Sequence, residues 1–402
     1  MCESKQQSPI RFRRLRSWEE LEALFHCWRD LLEDSQSPTI FSTPEWLGAW
    51  WRAFAKNREL TALVLLAQQD SIVGIVPLYL DSIETPLGLR LQRLRFVGDG
   101  THDSDNLDLI FRRGHEESCV AALFDWLSSE STWDVCELNT MPATSAALPL
   151  LVSSLRKNRW CFSITEIPCS RIALPSSWDA YLNQISKKEK KKINYLTKRL
   201  ENLYAVSIDK CVRESDLPTR LENLFELHQG RWKTRGASGT FASEARREFY
   251  YDIGAAFLKR DWLEFWELRL GEKVAATQFC FRYRDTAYAL QEGFDLQFSS
   301  ESVGYVLRAS VLKTLISDGV SGYDFLGGKD ASKERWGAQV GNYFNIHFAR
   351  PLSRGSLYLN LVRSIRSSKG WLKSRLPPSI LNLIRKCHRA LRAALLPRTV
   401  EN

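Results

Sequence analysis

No stretch of this 402-residue chain approaches the roughly 18 consecutive apolar residues that a bilayer-spanning helix requires, so a helical membrane protein is not expected. The opening MCESKQQSPIRFRRLRSWEE lacks an apolar core and does not read as a secretory leader. The nine cysteines are scattered and never spaced Cys-x-x-Cys, which argues against a disulfide framework or a zinc ribbon and for reduced thiols in a cytoplasmic protein. Acidic residues are nearly absent from one place only. Residues 351–402 hold 11 Lys/Arg against Glu401, so the other 350 residues carry 45 basic and 46 acidic side chains. The formal +9 of the chain thus belongs to its tail. A nucleic-acid-binding protein would more usually spread positive charge over a folded face, and no nucleic-acid partner is expected.

What is present is the composition of a soluble globular protein, 44% hydrophobic and 26% charged, long enough for two domains, and its order of helix and strand patterns reads as α/β. The same rhythm runs twice. In the first half a helical pattern over 16–34 and a second over 44–56 precede LTALVLLAQQ and SIVGIVPLYL, a hairpin across Gln69-Asp70. Further strands, a helix over 115–130 and the strand WDVCEL follow. The second half repeats two helices, a three-strand meander, a helix and a strand. Both closing strands open on an aromatic-aspartate pair, Trp133-Asp134 and Tyr323-Asp324. The expected division is 1–168, 169–350 and a basic tail, 351–402.

The meander WLEFWELRL, KVAATQFCFRY, TAYALQEGF runs through the loop DLQFSSESVG into the helical spacing of YVLRASVLKTLI. A small-residue loop opening a helix leaves unpaired N–H groups at the positive end of its dipole, which suits a pyrophosphate. Between the halves, SKKEKKKINYLTKRLEN has helical spacing and places Lys187, Lys188, Lys190, Lys191 and Lys192 within six positions. Such like charges repel. The segment is either a solvated face or a site for a polyanion.

Four stretches in order resemble the GNAT acyltransferase superfamily, and within it the two-lobed CelD/BcsL acetyltransferases of cellulose biosynthesis, which are similar to the Fem-type peptidoglycan aminoacyltransferases. They are FSTPEWLGAWWRAF, ISKKEKKKINYLTKRL, LHQGRWKTRGASGTF and GYDFLGGKDASKERWG. The resemblance implies two tandem GNAT-like lobes and transfer of an acyl group from acetyl-CoA or another acyl-CoA to an amine, with no metal. It implies an amino-sugar or envelope-polysaccharide acceptor. Alternatives are a Fem-like enzyme using aminoacyl-tRNA and a silent lobe pair that binds glycan or a synthase partner.

Direct acyl transfer needs a proton acceptor for the amine, a donor for the oxyanion and a proton for the thiolate. Glu292 and Asp295, at the end of the third meander strand, are candidate bases or simple turn residues. The resemblance brings in Asp324 from an Asp-Phe-x-x-Gly motif, as a base or as an orienter of backbone amides. Lys333, from a Lys-x-x-Trp/Phe-Gly motif, is expected to neutralise an oxyanion or a phosphate. The donor is expected on Ser302, Val303, Gly304 and Tyr305, although Gly304 is the only glycine where many GNAT enzymes carry more. Arg231, Lys191 and Asp108 are the candidates for substrate contact. Asp108 closes the loop GDGTHDSDNLDL, whose five Asp/His residues lack the spacing of a calcium loop and which reads as solvated or as reaching an acceptor. The tail reads as two basic amphipathic helices split by Pro377-Pro378, docked on the body or lying on an anionic membrane surface.

Overall fold

The structure is a computed structural model that describes residues 10–85, 88–233 and 239–375, with side chains described outside 231–233 and 366–375. The first half begins with β1 (Arg11–Leu15) and two short helices, α1 (Trp18–Glu22) and α2 (Phe25–Glu33). A single helix was the expectation over 16–34. Ser17 and Glu20 form a capping box that starts α1, yet the helix breaks at Ala23 and Leu24. In a straight helix Trp28 would lie about 80° round from Trp18. The break lets Trp18, Leu21, Trp28 and Leu31 all reach the core.

Then come α3 (Pro44–Phe54), capped by Thr43 with Pro44 in its first turn, and the strands β2 (Glu59–Leu60), β3 (Ala62–Leu66), β4 (Ile72–Val76), β5 (Leu78–Glu84), β6 (Arg90–Phe96) and β7 (Ile110–Phe111). Gln69 and Asp70 both have positive φ, the backbone a tight β3–β4 hairpin needs. The half closes with α4 (Glu116–Ser129), β8 (Val135–Pro142), α5 (Ala147–Lys157) and the 13-residue β9 (Cys161–Ala173).

The second half runs α6 (Trp178–Gln184), α7 (Lys187–Leu203), β10 (Val206–Lys210), α8 (Leu217–Lys233), α9 (Glu244–Lys259), β11 (Leu263–Leu270), β12 (Lys273–Tyr283), β13 (Thr286–Phe294), α10 (Val303–Ser317), β14 (Gly322–Gly327), α11 (Ala331–Arg335) and β15 (Gln339–Ala349). The three-strand meander and the helix after it lie where the pattern puts them. A last helix, α12 (Arg354–Arg375), rests on β15 and β9. It buries Ser356 and Leu359 but leaves Leu357, Leu361 and Ile365 exposed. The second tail helix expected near 379–396 lies outside the described residues.

Each half contains one parallel strand pair, β6 with β8 and β13 with β14. The strand sealing each pair comes from the end of the other half. β15 lies antiparallel to β8, and β9 lies antiparallel to β14. β9 and β15 then pair with each other from Cys161↔Ala349 to Arg171↔Gln339. The result is one sheet of eleven strands, in the order β10-β11-β12-β13-β14-β9-β15-β8-β6-β5-β2. The expected boundary at 168/169 falls inside β9.

Register also corrects the matching of the two halves. The rungs Arg93↔Val135, Leu94↔Cys136 and Arg95↔Glu137 correspond to Thr286↔Gly322, Ala287↔Tyr323 and Tyr288↔Asp324. Asp324 therefore answers to Glu137, three residues beyond Asp134, whose carboxylate accepts from the Gln92 N–H at 2.8 Å. An aromatic residue joins the halves. Trp46 of α3 packs on Phe249, Phe257 and Phe281 with ring centroids 5.1–6.1 Å apart, so the first-half core continues onto one face of the second-half sheet. The other face of that sheet carries α6, α7 and α10 over a separate core.

Candidate functional site

β13 and β14 pair over three rungs and then part, because β14 bends at its end. Leu326 has φ 61° and Gly328 φ 95°. A leucine in the left-handed region is held there by its surroundings. The Leu326 N–H donates to Asp324 Oδ1 at 2.7 Å, and the Gly327 N–H donates to Asp105 Oδ2 at 2.7 Å. Lys333 Nζ donates to the carbonyls of Phe325 at 3.0 Å, Gly327 at 2.8 Å and Gly328 at 3.3 Å. From β9, Pro168 O accepts from the Gly328 N–H at 2.7 Å, and Ser170 Oγ donates to Gly328 O at 3.1 Å. The bend is thus held from both halves of the chain.

Its electrostatics are unusual. Asp324 is buried, and burial raises its carboxyl to about 6, against the hydrogen bond from Leu326. Burial raises Asp105 as well. Among the described residues no cation stands within ion-pair distance of either carboxylate, since the Lys333 ammonium is turned onto carbonyls. Burial also pulls Lys333 below the ordinary lysine range, while Asp105 and Asp324 pull the other way. Beside Asp324 lies a cleft of about 260 Å³ between the halves, lined by Thr39 and Asn106 on one side and Arg171, Asp285, Thr286 and Tyr288 on the other.

On the opposite face of the second-half sheet, the start of α10 is open. Ser302 takes φ 55° and gives the helix no side-chain cap, and no acidic residue stands in the first turn. A Cβ added at Gly304 would meet only Phe294, at 4.0 Å. The fold's own packing does not require glycine there. Tyr305 donates to Glu189 at 2.5 Å and packs at a tilt against Trp336, with ring centroids 4.3 Å apart.

The remaining predicted residues are placed as follows. Glu292 is gripped by Arg308, whose Nε donates at 3.1 Å and whose guanidinium lies 5.2 Å from the Phe325 ring and 5.5 Å from that of Trp336. Asp295 caps the short turn before α10 by accepting from the Gln297 N–H at 2.9 Å, and pairs with Lys273 at 3.2 Å. Lys191 is exposed on α7. The side chain of Arg231 lies outside the described residues.

Asp108 is buried in the first half, raised by that burial to about 7, and accepts from Ser145 at 2.8 Å and Ser37 at 3.3 Å. Its loop is not solvated. Thr101, Asp103, Ser104, Asn106 and Asp108 are all buried, with Asp103 3.1 Å from Arg246 of α9 and Asn106 3.1 Å from Tyr343 of β15. The loop clasps the second half, and Asp105 is its contact with the bend.

Asp105, Arg171, Arg308 and Tyr343 are brought to this region without having been singled out. Asp105 was legible only as one of several loop acids. The other three come from strands and a helix whose neighbours are remote in sequence. Among the described residues no group of three His, Cys, Asp or Glu side chains converges as a metal site, and no helix is long and apolar enough to cross a membrane.

With the geometry in place, the chain can be set against known proteins. Residues 187–335 match the acetyltransferase (GNAT) domain family. No curated protein matches the sequence. Among solved structures, FemX superposes with a TM-score of 0.55 at 10% identity, covering 80% of this chain and 95% of that one. A conserved protein of unknown function from Bacteroides thetaiotaomicron superposes at 0.52 with 11% identity, covering 81% and 97%. At such identities these likenesses speak for the fold. The chain folds as two α/β lobes, each with one parallel strand pair, and the segment that matches the GNAT domain lies in the second.

Proposed function

We propose that this chain is an N-acyltransferase that takes acetyl-CoA or another acyl-CoA as donor and an amine as acceptor. The observation that carries the reading is the start of α10, an uncapped helix N-terminus with open space at Gly304 inside the segment that matches the GNAT domain. The Val303 and Gly304 N–H groups would hold the donor's pyrophosphate, and the donor supplies the thioester whose acyl carbon the amine attacks.

Asp324 is the proton acceptor in this reading. Its carboxyl, raised to about 6, is ionised at neutral pH yet retains affinity for a proton. It sits on the last shared rung of β13 and β14, on the sheet face away from α10. Donor and acceptor would approach from opposite faces and meet where the strands part. Glu292 is less suited, because Arg308 holds both carboxylate oxygens. Lys333, expected at the oxyanion, would act by holding the bend that presents Asp324 and Asp105. When the amine attacks, its proton passes to Asp324, the C–S bond breaks and the departing thiolate takes up a proton.

The interlobe cleft, lined by hydroxyl, amide, guanidinium and carboxylate groups, fits a polar acceptor. The CelD/BcsL resemblance suggests an amino sugar of an envelope polysaccharide. The exposed Leu357, Leu361 and Ile365 on α12, in a tail of net charge +10, support placement on an anionic membrane face.

The test is thermal denaturation with acetyl-CoA, coenzyme A, aminoacyl-tRNA or no addition. Stabilisation by the coenzymes alone is the expected result. Stabilisation by aminoacyl-tRNA alone would favour the Fem-like reading, and no response to any of them would favour a silent glycan-binding pair.

A further inference from the structure

The lysine-rich helix α7 has no role in the fold that explains its charge. It is capped by Ser186 and anchored by Ile193, Leu196 and Leu200. Glu189, the one acid in its first turn, is withdrawn from the surface to accept the Tyr305 hydroxyl. That leaves five lysines in six positions. Lys190 reaches Asn183 at 3.2 Å, and among the described residues none of the five pairs with a carboxylate. Residues 1–350 are close to neutral only when these lysines are counted, so the patch stands out against a body that is otherwise net acidic. Like charges so placed destabilise a helix unless something anionic relieves them.

The position of the patch says what that anion is. Lys192 Nζ lies 4.3 Å from the centre of the Tyr305 ring, and Arg199 lies 3.8 Å from Glu301. These two contacts bracket the loop that starts α10. Lys188, Lys192, Tyr195 and Arg199 follow one another at i, i+4, i+7 and i+11, so they form one stripe about 16 Å long, with the exposed Lys191 at i+3 along its edge. Tyr195 stands between the bracketing residues, level with the open helix N-terminus, and is 63% exposed. An aromatic ring left in water between cations is a platform for a base whose phosphates those cations hold.

We propose that this stripe binds the adenosine 3′-phosphate end of coenzyme A, with Tyr195 stacking the purine and the lysines at 188, 191 and 192 holding the 3′-phosphate. The inference rests on the acyl-CoA reading and adds to it the residues that recognise the nucleotide. It makes no covalent bond, and its readout is affinity.

The experiment is calorimetric titration of the full chain with coenzyme A and with 3′-dephospho-coenzyme A. The wild type should bind coenzyme A about tenfold more tightly, the scale of one charge-assisted phosphate contact. In Lys188→Ala/Lys191→Ala, two exposed positions whose loss leaves the core intact, that ratio should collapse toward one while affinity for the dephospho form holds. Tyr195→Ala should weaken both ligands alike. Equal affinities in the wild type, or a ratio that survives the double substitution, overturns the assignment and leaves the acyl-CoA reading standing. Failure of both coenzymes to bind overturns the two together. A lysine-dependent affinity for tRNA with none for coenzyme A does the same.

Discussion

Glu137 and Asp324 occupy the same rung of the parallel pair in the two lobes, and their surroundings differ in kind. Around Glu137 the carboxylates are paired. Arg93 lies 2.8 Å from Asp81 and 3.2 Å from Glu137, and Arg95 lies 2.8 Å from Asp99 and 3.9 Å from Glu137. Around Asp324, among the described residues, no cation lies within ion-pair distance; Arg171 and Lys333 act from farther off, and burial raises the carboxyl to about 6. The connections that follow the equivalent strands differ as well. In the second lobe eight residues lead from β13 to an uncapped α10. In the first, nineteen residues lead from β6 to α4, whose first turn carries Glu116 and Glu117 and so disfavours an anion. The acyl-CoA reading thus gives the two lobes different roles. The long connection of the first lobe clasps its partner, whereas the second lobe has a strained bend with a buried carboxylate on one face of its sheet and an open helix end on the other. Such departures from local satisfaction are where function is expected.

The largest effect should follow Asp324→Asn. Removing the proton acceptor should lower turnover about 10²- to 10³-fold. The same change should raise thermal stability at pH 7. Holding a buried carboxyl near 6 costs the fold roughly 3 kcal/mol at neutral pH, and the amide escapes that cost. The sign follows from linkage. The folded state holds this proton more tightly than the unfolded chain, so the group's contribution to stability is greatest below about pH 4 and declines as pH rises through 6. Melting curves from pH 4 to 8 should show a shallower decline in Asp324→Asn than in the wild type, the remainder coming from the other buried carboxyls, Asp105 and Asp108. A stable variant with normal turnover would remove Asp324 from the chemistry.

Next in size is Lys333→Ala. Because its ammonium ties down three carbonyls of the bend, turnover should fall about tenfold or more and the melting temperature should fall with it. Lys333→Arg, which keeps the charge but not the compact donor geometry, should recover only part of each. A loss of turnover with unchanged stability would instead mark Lys333 as acting on the reacting atoms.

Glu137→Gln should do the converse of Asp324→Asn. Breaking a buried, paired network costs on the order of 3 kcal/mol, so the melting temperature should drop by several degrees while turnover per folded molecule is kept. If the two substitutions behave alike, the distinction between the lobes fails. The smallest effect concerns the tail. Flotation with anionic vesicles at low salt should carry the full chain upward and leave a chain ending near Leu352 behind, with each basic residue near the surface contributing roughly 1 kcal/mol. Identical behaviour of the two would mean that the tail packs on the body.

Much of the second lobe was legible because its signals are local. The strands of the meander are parted by turns at Gly271 and Arg284-Asp285, with positive φ at Gly271 and Arg284, and α10 is apolar along its length. The strands that exchange between lobes were not. β9 is mostly exposed or half-exposed, carries Pro168, and owes its strand conformation to partners about 150 to 190 residues away. The clasp was hidden for a related reason. A loop rich in Asp, Gly and Ser reads as solvated, and only its partners Trp46, Trp50, Tyr343 and Arg246 make it a buried one. Asp324 was visible through a motif, but its lack of a countercharge is a property of three dimensions.

The central claim is that one lobe, the second, holds an acyl-CoA at the start of α10. Calorimetric titration of acetyl-CoA into the full chain and into Gly304→Val tests it most directly. One site per chain is predicted, weakened about a hundredfold by Gly304→Val, roughly 2.7 kcal/mol, with little change in melting temperature because a side chain there has room. Two equivalent sites per chain, or an unchanged affinity in a folded Gly304→Val protein, would contradict it.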